Sequence, residues 1–269
     1  MSSHNIYGIG APKSGGTSLS EWLNLNTKMR VYPHDAIADE KIGRQLSPNV
    51  GEVWCGGSFW LARSLHDLDP SGLQILAVRH TVFDWAQSFW LHFHRVPKFG
   101  PGRVQALHPV LELNNGTPIA GPNFRPSNAY EEQILLQHTL NINKIYFQKG
   151  DGVCLSLEGM EDILRAYVPH HVDLAQRTDN DDKYIVINIA KGLTPTQVLH
   201  EWLTKYVPMS DSMQDAAWPH KRKTAEGTLK ASLAEEPNAI EEIQQLCDQY
   251  EQIWQDEVIS RILTGVPTD

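Results

Sequence analysis

Between residues 8 and 23 the chain reads GIGAPKSGGTSLSEWL, a run that gathers what an oxyanion needs. Gly10, Gly15 and Gly16 let backbone approach oxygen atoms closely. Lys13 brings a mobile full charge, and Ser14, Thr17 and Ser18 bring hydroxyl donors. The flanking residues predict where this run sits. Residues 5–10 (NIYGIG) read as a short buried strand ending in a glycine turn. Residues 17–25 read as a helix, with Leu19, Trp22 and Leu23 on one apolar face. A helix start exposes unpaired N–H groups and the positive end of the helix dipole. Strand, glycine-rich turn and helix start together predict capture of a phosphate-like group.

The general nucleotide-triphosphate template, GxxxxGK[ST], does not fit. Lys13 precedes the glycine pair by two positions, and Ser14 precedes the helix rather than opening it. The stretch Pro12-Lys13-Ser14-Gly15-Gly16-Thr17-Ser18-Leu19 instead resembles the 5′-phosphosulfate loop of the sulfotransferase family, usually PKSGTTSL. That resemblance implies a donor, 3′-phosphoadenosine-5′-phosphosulfate (PAPS), which leaves as the 3′,5′-bisphosphate. It implies that Lys13 contacts the bridging and leaving oxygens. The amides of Ser14 to Thr17, with the hydroxyls of Thr17 and Ser18, would hold the 5′-phosphate. Gly16 departs from the family's first threonine; it loses a hydroxyl and keeps its N–H.

Further blocks extend the resemblance. The family binds the 3′-phosphate with an arginine after a central strand and a serine eight residues on. Residues 75–90 read ILAVRHTVFDWAQSFW: Arg79 follows an apolar strand, Ser88 lies nine residues on, and Gln87 holds the usual position. Either the turn at residues 80–82 carries an insertion or Gln87 donates instead. Residues 152–167 resemble the family's strand followed by an acidic helix start, with Glu158 in a structural role. The basic cluster Lys221, Arg222 and Lys223 resembles the loop that caps the 3′-phosphate. A general base follows the family's second strand, and here residues 30–41 offer His34, Asp35 and Glu40. An unperturbed imidazole titrates near neutral pH, which favours His34. Glu52 is a more distant fourth candidate.

The elements that must position these residues follow from periodicity. Apolar strands are expected at 29–32, 73–78, 152–157 and 184–189. Helices are expected at 58–68, 82–94, 128–148, 158–167, 194–207 and 238–263. Alternating strands and helices predict an α/β fold, a three-layer α/β/α arrangement about a parallel sheet of nucleotide-binding P-loop-like type. One domain is expected over residues 1–269, with the Pro-, Gly- and Asn-rich stretch 97–128 as a long loop or lid.

Composition narrows the functional classes. The chain has 269 residues, 23 basic and 32 acidic, for a formal net charge of −9. Such a surface opposes polyanions, so nucleic-acid and membrane partners are not expected. Three widely spaced cysteines suggest neither a disulfide framework nor zinc, and a cytoplasmic setting is expected. No HExxH or comparable spacing suggests a metal. The expected reaction moves a sulfuryl group to a hydroxyl or amine of a small-molecule or glycan acceptor. Two alternatives stay open: a P-loop small-molecule kinase, and a nucleotide-binding module without turnover.

Overall fold

Short, mostly buried segments pair in parallel to build the main sheet. The structure is a computed structural model that describes residues 4–11, 13–32, 51–55, 69–95, 112–114, 117–119, 146–149, 152–155, 157–211, 218 and 237–264. Its first strands are β1 (Ile6–Ile9), β2 (Arg30–Val31), β3 (Glu52–Cys55) and β4 (Leu73–Ala77). Two antiparallel hairpins follow, β5 (Glu112–Asn114) with β6 (Thr117–Ile119), and β7 (Tyr146–Lys149) with β8 (Gly152–Leu155). A last strand, β9 (Tyr184–Ile187), returns to the main sheet, whose order is β2-β3-β1-β4-β9. Every pair in it is parallel, with Ile6 level with Val53 and Leu73, and Gln74 level with Tyr184. This establishes an α/β architecture.

Burial on both faces explains why β1, β4 and β9 read as apolar runs rather than alternations. Ile6, Val53, Cys55, Leu73, Ile75, Ala77, Ile185 and Ile187 form one face. Against it pack Leu19, Trp22 and Leu23 of α1 (Gly16–Asn26). At the N-terminal edge of the sheet a polar network ties β1 to the turn before β4. Asn5 Nδ2 and the Tyr7 hydroxyl each donate to Asp69 Oδ2 at 2.9 Å, and Ser71 Oγ donates to Asp69 Oδ1 at 2.7 Å. Burial, then the Asp69 contact, pushes the Tyr7 phenol well above its usual range.

The other helices are α2 (Val82–Arg95), α3 (Leu157–Gln176), α4 (Thr196–Thr204) and α5 (Ala239–Glu257). Leu199, Trp202 and Leu203 of α4 join the same face as α1. The chain divides into two compact units. The first comprises Met1–His80, Val172–Lys221 and Asp256–Asp269, and carries the main sheet; the second comprises Thr81–His171 and Arg222–Gln255. Cys55 in the first and Cys247 in the second are free and buried, and burial pushes both thiols up to about 12. No helix of the described residues is long and apolar enough to cross a membrane.

Aromatic packing organises the second unit. Trp85 lies 5.2 Å from Tyr167, and His171 lies 5.2 Å from Trp254, centroid to centroid. His171 is buried, and its Nδ1 donates to the Tyr167 carbonyl at 2.7 Å. A carbonyl only accepts, so Nδ1 carries the proton of the neutral ring. Burial pulls the imidazole down from 6.5 to about 4. Between those values the unfolded state binds the extra proton and the folded state does not, so acid favours unfolding. The loss begins as pH falls below 6.5 and reaches about 3 kcal/mol near pH 4. His171→Phe should flatten that limb of a urea-unfolding series run between pH 7 and pH 4. An unchanged acid slope would exclude His171 as its source.

Several elements depart from the sequence expectations. β3 was not expected at all: three apolar residues after a turn carry no periodicity, and only two parallel neighbours make EVWC a strand. Part of the expected loop at 97–128 is the β5–β6 hairpin, in which Glu112 stands level with Ile119. The last three residues of the expected helix 128–148 are strand, because Tyr146–Lys149 pairs with β8, and the rest of it lies outside the described residues. The helix expected at 158–167 runs on through Pro169 to Gln176. The C-terminal helix stops at Glu257 and gives way to a 3-10 turn at Ile259–Arg261. The helix expected at 58–68 lies outside the described residues, as does most of 97–128.

Candidate functional site

β1 delivers the chain to the C-terminal edge of the sheet, and Gly10 lets it leave there. Gly10 has φ 153°, and a Cβ at this position would stand 2.6 Å from the carbonyl oxygen of Ala77, the last residue of β4. The next turn is closed by the Ser14 amide, which donates to the Ala11 carbonyl at 3.1 Å. Within it Lys13 has φ 76°, the one positive value at a non-glycine residue among those described. That conformation costs an L-residue about 1–2 kcal/mol. It persists only where the surroundings enforce it, and such residues gather at binding sites.

Gly15 then caps α1 in the left-handed region, with φ 110° and ψ 10°. The helix begins with no side-chain cap hydrogen bond and no acidic residue in its first turn. The positive end of its dipole is thus left uncompensated from within the helix. Ser14 is buried, Gly15, Gly16 and Ser18 are half-buried, and Thr17 is exposed. Among the loop hydroxyls, those of Thr17 and Ser18 therefore have access to solvent and Ser14 faces inward.

Two other segments meet this loop. Arg79, two residues past β4, donates from Nε to the Lys13 carbonyl at 2.7 Å. Ile189, two residues past β9, backs the loop; a Cβ on Gly15 would stand 3.3 Å from Ile189 Cβ. Asn188 ties the strand ends together. Its Nδ2 donates to the Val78 carbonyl at 3.1 Å, and its Oδ1 accepts from the Lys191 amide at 2.9 Å. Asn188 and Ile189 were not singled out from sequence. The available signal was a lone amide side chain at the end of the apolar run YIVINI.

The position within the sheet matters for chemistry. From β1 the chain passes through α1 toward β2, on one side of the sheet, while β4 neighbours β9 on the other. Connections thus diverge between β1 and β4. In open α/β sheets the crevice beyond the carboxyl ends of such strands is where ligands bind. Lys13 and Arg79 both stand there, two cationic residues joined by a hydrogen bond.

Not every expected residue lies at this edge. Glu52 begins β3, level with Arg30 and next to Asn5 Oδ1, which accepts from its amide at 3.0 Å. It accepts from the Tyr32 hydroxyl at 2.8 Å. That is the opposite end of the parallel strands from Lys13, which removes Glu52 as a base for chemistry there. Gln87 and Ser88 are consecutive, half-buried residues of α2, within the second unit. Glu158 is the second residue of α3. Pro12, His34, Asp35, Glu40, Lys221, Arg222 and Lys223 lie outside the described residues. Among the described residues no group of three or more His, Cys, Asp or Glu is placed to hold a metal ion. Neither a family model nor a curated protein matches the chain.

Proposed function

We propose that this chain is a sulfotransferase of three-layer, P-loop-like fold whose loop at residues 12–18 binds PAPS. The observation that carries the reading is the strained turn at Lys13, set against an uncapped helix start at the divergence of β1 and β4. The parts suit the donor. Gly15 takes the left-handed cap conformation that starts α1, and the first amides of α1 supply donors without a capping side chain. Lys13 supplies positive charge within an acidic chain, so the site attracts a small anion without attracting a polymer.

The reaction then runs in line. An acceptor oxygen or nitrogen attacks the sulfur, and its bond to sulfur forms as the bond from sulfur to the 5′-phosphate oxygen breaks. The electron pair of that bond goes to the leaving bisphosphate, where the Lys13 ammonium compensates the developing charge. The acceptor's proton passes to a base, for which His34, with Asp35 and Glu40 as alternatives, is the expected residue. The acceptor is a hydroxyl or amine on a small molecule or glycan.

Thermal unfolding with added nucleotide tests the donor class. 3′,5′-Adenosine bisphosphate at 100 times its dissociation constant should stabilise the protein by about 2.7 kcal/mol. ATP with Mg²⁺ should give no comparable shift. Transfer of labelled sulfate from PAPS to an acceptor panel should follow. Stabilisation by ATP alone would replace the reading with a kinase, and bisphosphate binding without any transfer would reduce it to a binding module.

A further inference from the structure

We infer that Arg79 is a positioning residue that acts through the Lys13 backbone, holding the loop in the one conformation that presents an anion site. Three observations carry this. The first is the contact itself, Arg79 Nε to the Lys13 carbonyl at 2.7 Å, spanning 66 residues of sequence. The second is the left-handed backbone of the residue so held, φ 76°. The third is the local alternative: nothing about lysine favours that region, and relaxation to a negative φ would swing the Lys13 carbonyl and undo the turn closed by Ser14. A charged donor on a carbonyl makes a stronger hydrogen bond than a neutral pair does. It therefore opposes a strain of similar size.

The backbone of Arg79 is itself anchored. Val78 before it pairs with the Ile187 carbonyl at 2.9 Å and offers its own carbonyl to Asn188 at 3.1 Å. Arg79 thus transmits the rigidity of β4 and β9 to the turn that the Ser14 amide closes on the Ala11 carbonyl. Its Nε donates to the protein itself. An arginine that acted by gripping the donor's 3′-phosphate would matter only to nucleotides that carry one. A positioning arginine matters equally to every nucleotide that uses the loop.

Two measurements separate these roles. The first is amide hydrogen exchange at Ser14, in wild type, Arg79→Ala, Lys13→Gly and the double variant. Arg79→Ala should speed Ser14 exchange roughly tenfold or more. In the Lys13→Gly background the turn is no longer strained, and the same Arg79 substitution should change exchange by less than about threefold. Equal effects in both backgrounds, or no effect in either, would overturn the inference. Arg79→Gln serves as the second variant should Arg79→Ala fold poorly, with the same expectation.

The second measurement rests on the proposed donor site. Affinities of 3′,5′-adenosine bisphosphate and of 5′-AMP are compared between wild type and Arg79→Ala. Positioning predicts that both weaken by the same factor, and a loss confined to the bisphosphate would overturn it in favour of a 3′-phosphate contact. Wild type that binds neither nucleotide would defeat the donor reading alone, because Ser14 exchange decides the clamp without any ligand.

Discussion

Lys13→Ala is expected to lower sulfuryl transfer by roughly a hundred- to a thousandfold, the loss typical when one preorganised charge-stabilising group is removed. Folding should be nearly untouched, because the side chain is half-buried in a loop and the backbone conformation demanded of alanine is the same. Lys13→Gly separates the two contributions of this residue. It removes the ammonium as completely, so activity falls equally. It also relieves the left-handed backbone, so the urea midpoint should rise by the equivalent of about 1 kcal/mol over Lys13→Ala. The pair of measurements is a labelled-sulfate assay and an equilibrium unfolding curve on each variant. Activity retained in Lys13→Ala would take Lys13 out of the mechanism. A Gly variant no more stable than the Ala variant would mean the backbone at this position carries no strain.

The second large effect is expected at Gly10. Its Cβ would stand 2.6 Å from the Ala77 carbonyl oxygen, and Ala77 is backbone within the central pair of strands, unable to rotate aside as a side chain would. The residue also has φ 153°, where an L side chain is strained. Gly10→Ala should therefore destabilise the fold by about 3 kcal/mol or more. It should also weaken nucleotide binding in whatever protein remains folded, because parting β1 from β4 at this edge moves Lys13 away from Arg79. Gly192→Ala is the matched control: φ is 64° but nothing lies within 4 Å of the added Cβ. It should lose only the left-handed term, about 1–2 kcal/mol. Equal unfolding midpoints for the two variants would show that the approach of β1 to β4 tolerates a methyl group.

Lys13 and Gly10 illustrate different degrees of legibility. The anion loop could be read from residues 8–23 because its determinants are local: an apolar run, glycines, a lysine, hydroxyls and an amphipathic helix follow one another without interruption. The same holds for β4 and β9, whose burial on both faces needs an unbroken apolar run that few other elements produce. Helix α1 came within a residue of its expected limits at each end because one face is apolar at helical spacing. β3 was invisible because four residues, one of them Glu52, hold no period to detect. The strand at Tyr146–Lys149 was masked by a helix-like pattern, and only its antiparallel partner makes it a strand. Glu52 looked usable as a base on residue type alone; the register of β3 against β1 put it at the wrong end.

What the amino-acid sequence determined by itself was the chemistry on offer: an α/β chain, acidic in sum, with one short cationic loop ahead of a helix. Those properties reside in residue types and near-neighbour spacing, which need no folded partner to exist. Tertiary structure alone decided the strand order β2-β3-β1-β4-β9, the backing of Gly15 by Ile189 and the bond from Arg79 to the Lys13 carbonyl. Each of these joins segments dozens of residues apart. Their free energy is gained only when the sheet closes, so no local window of sequence contains it.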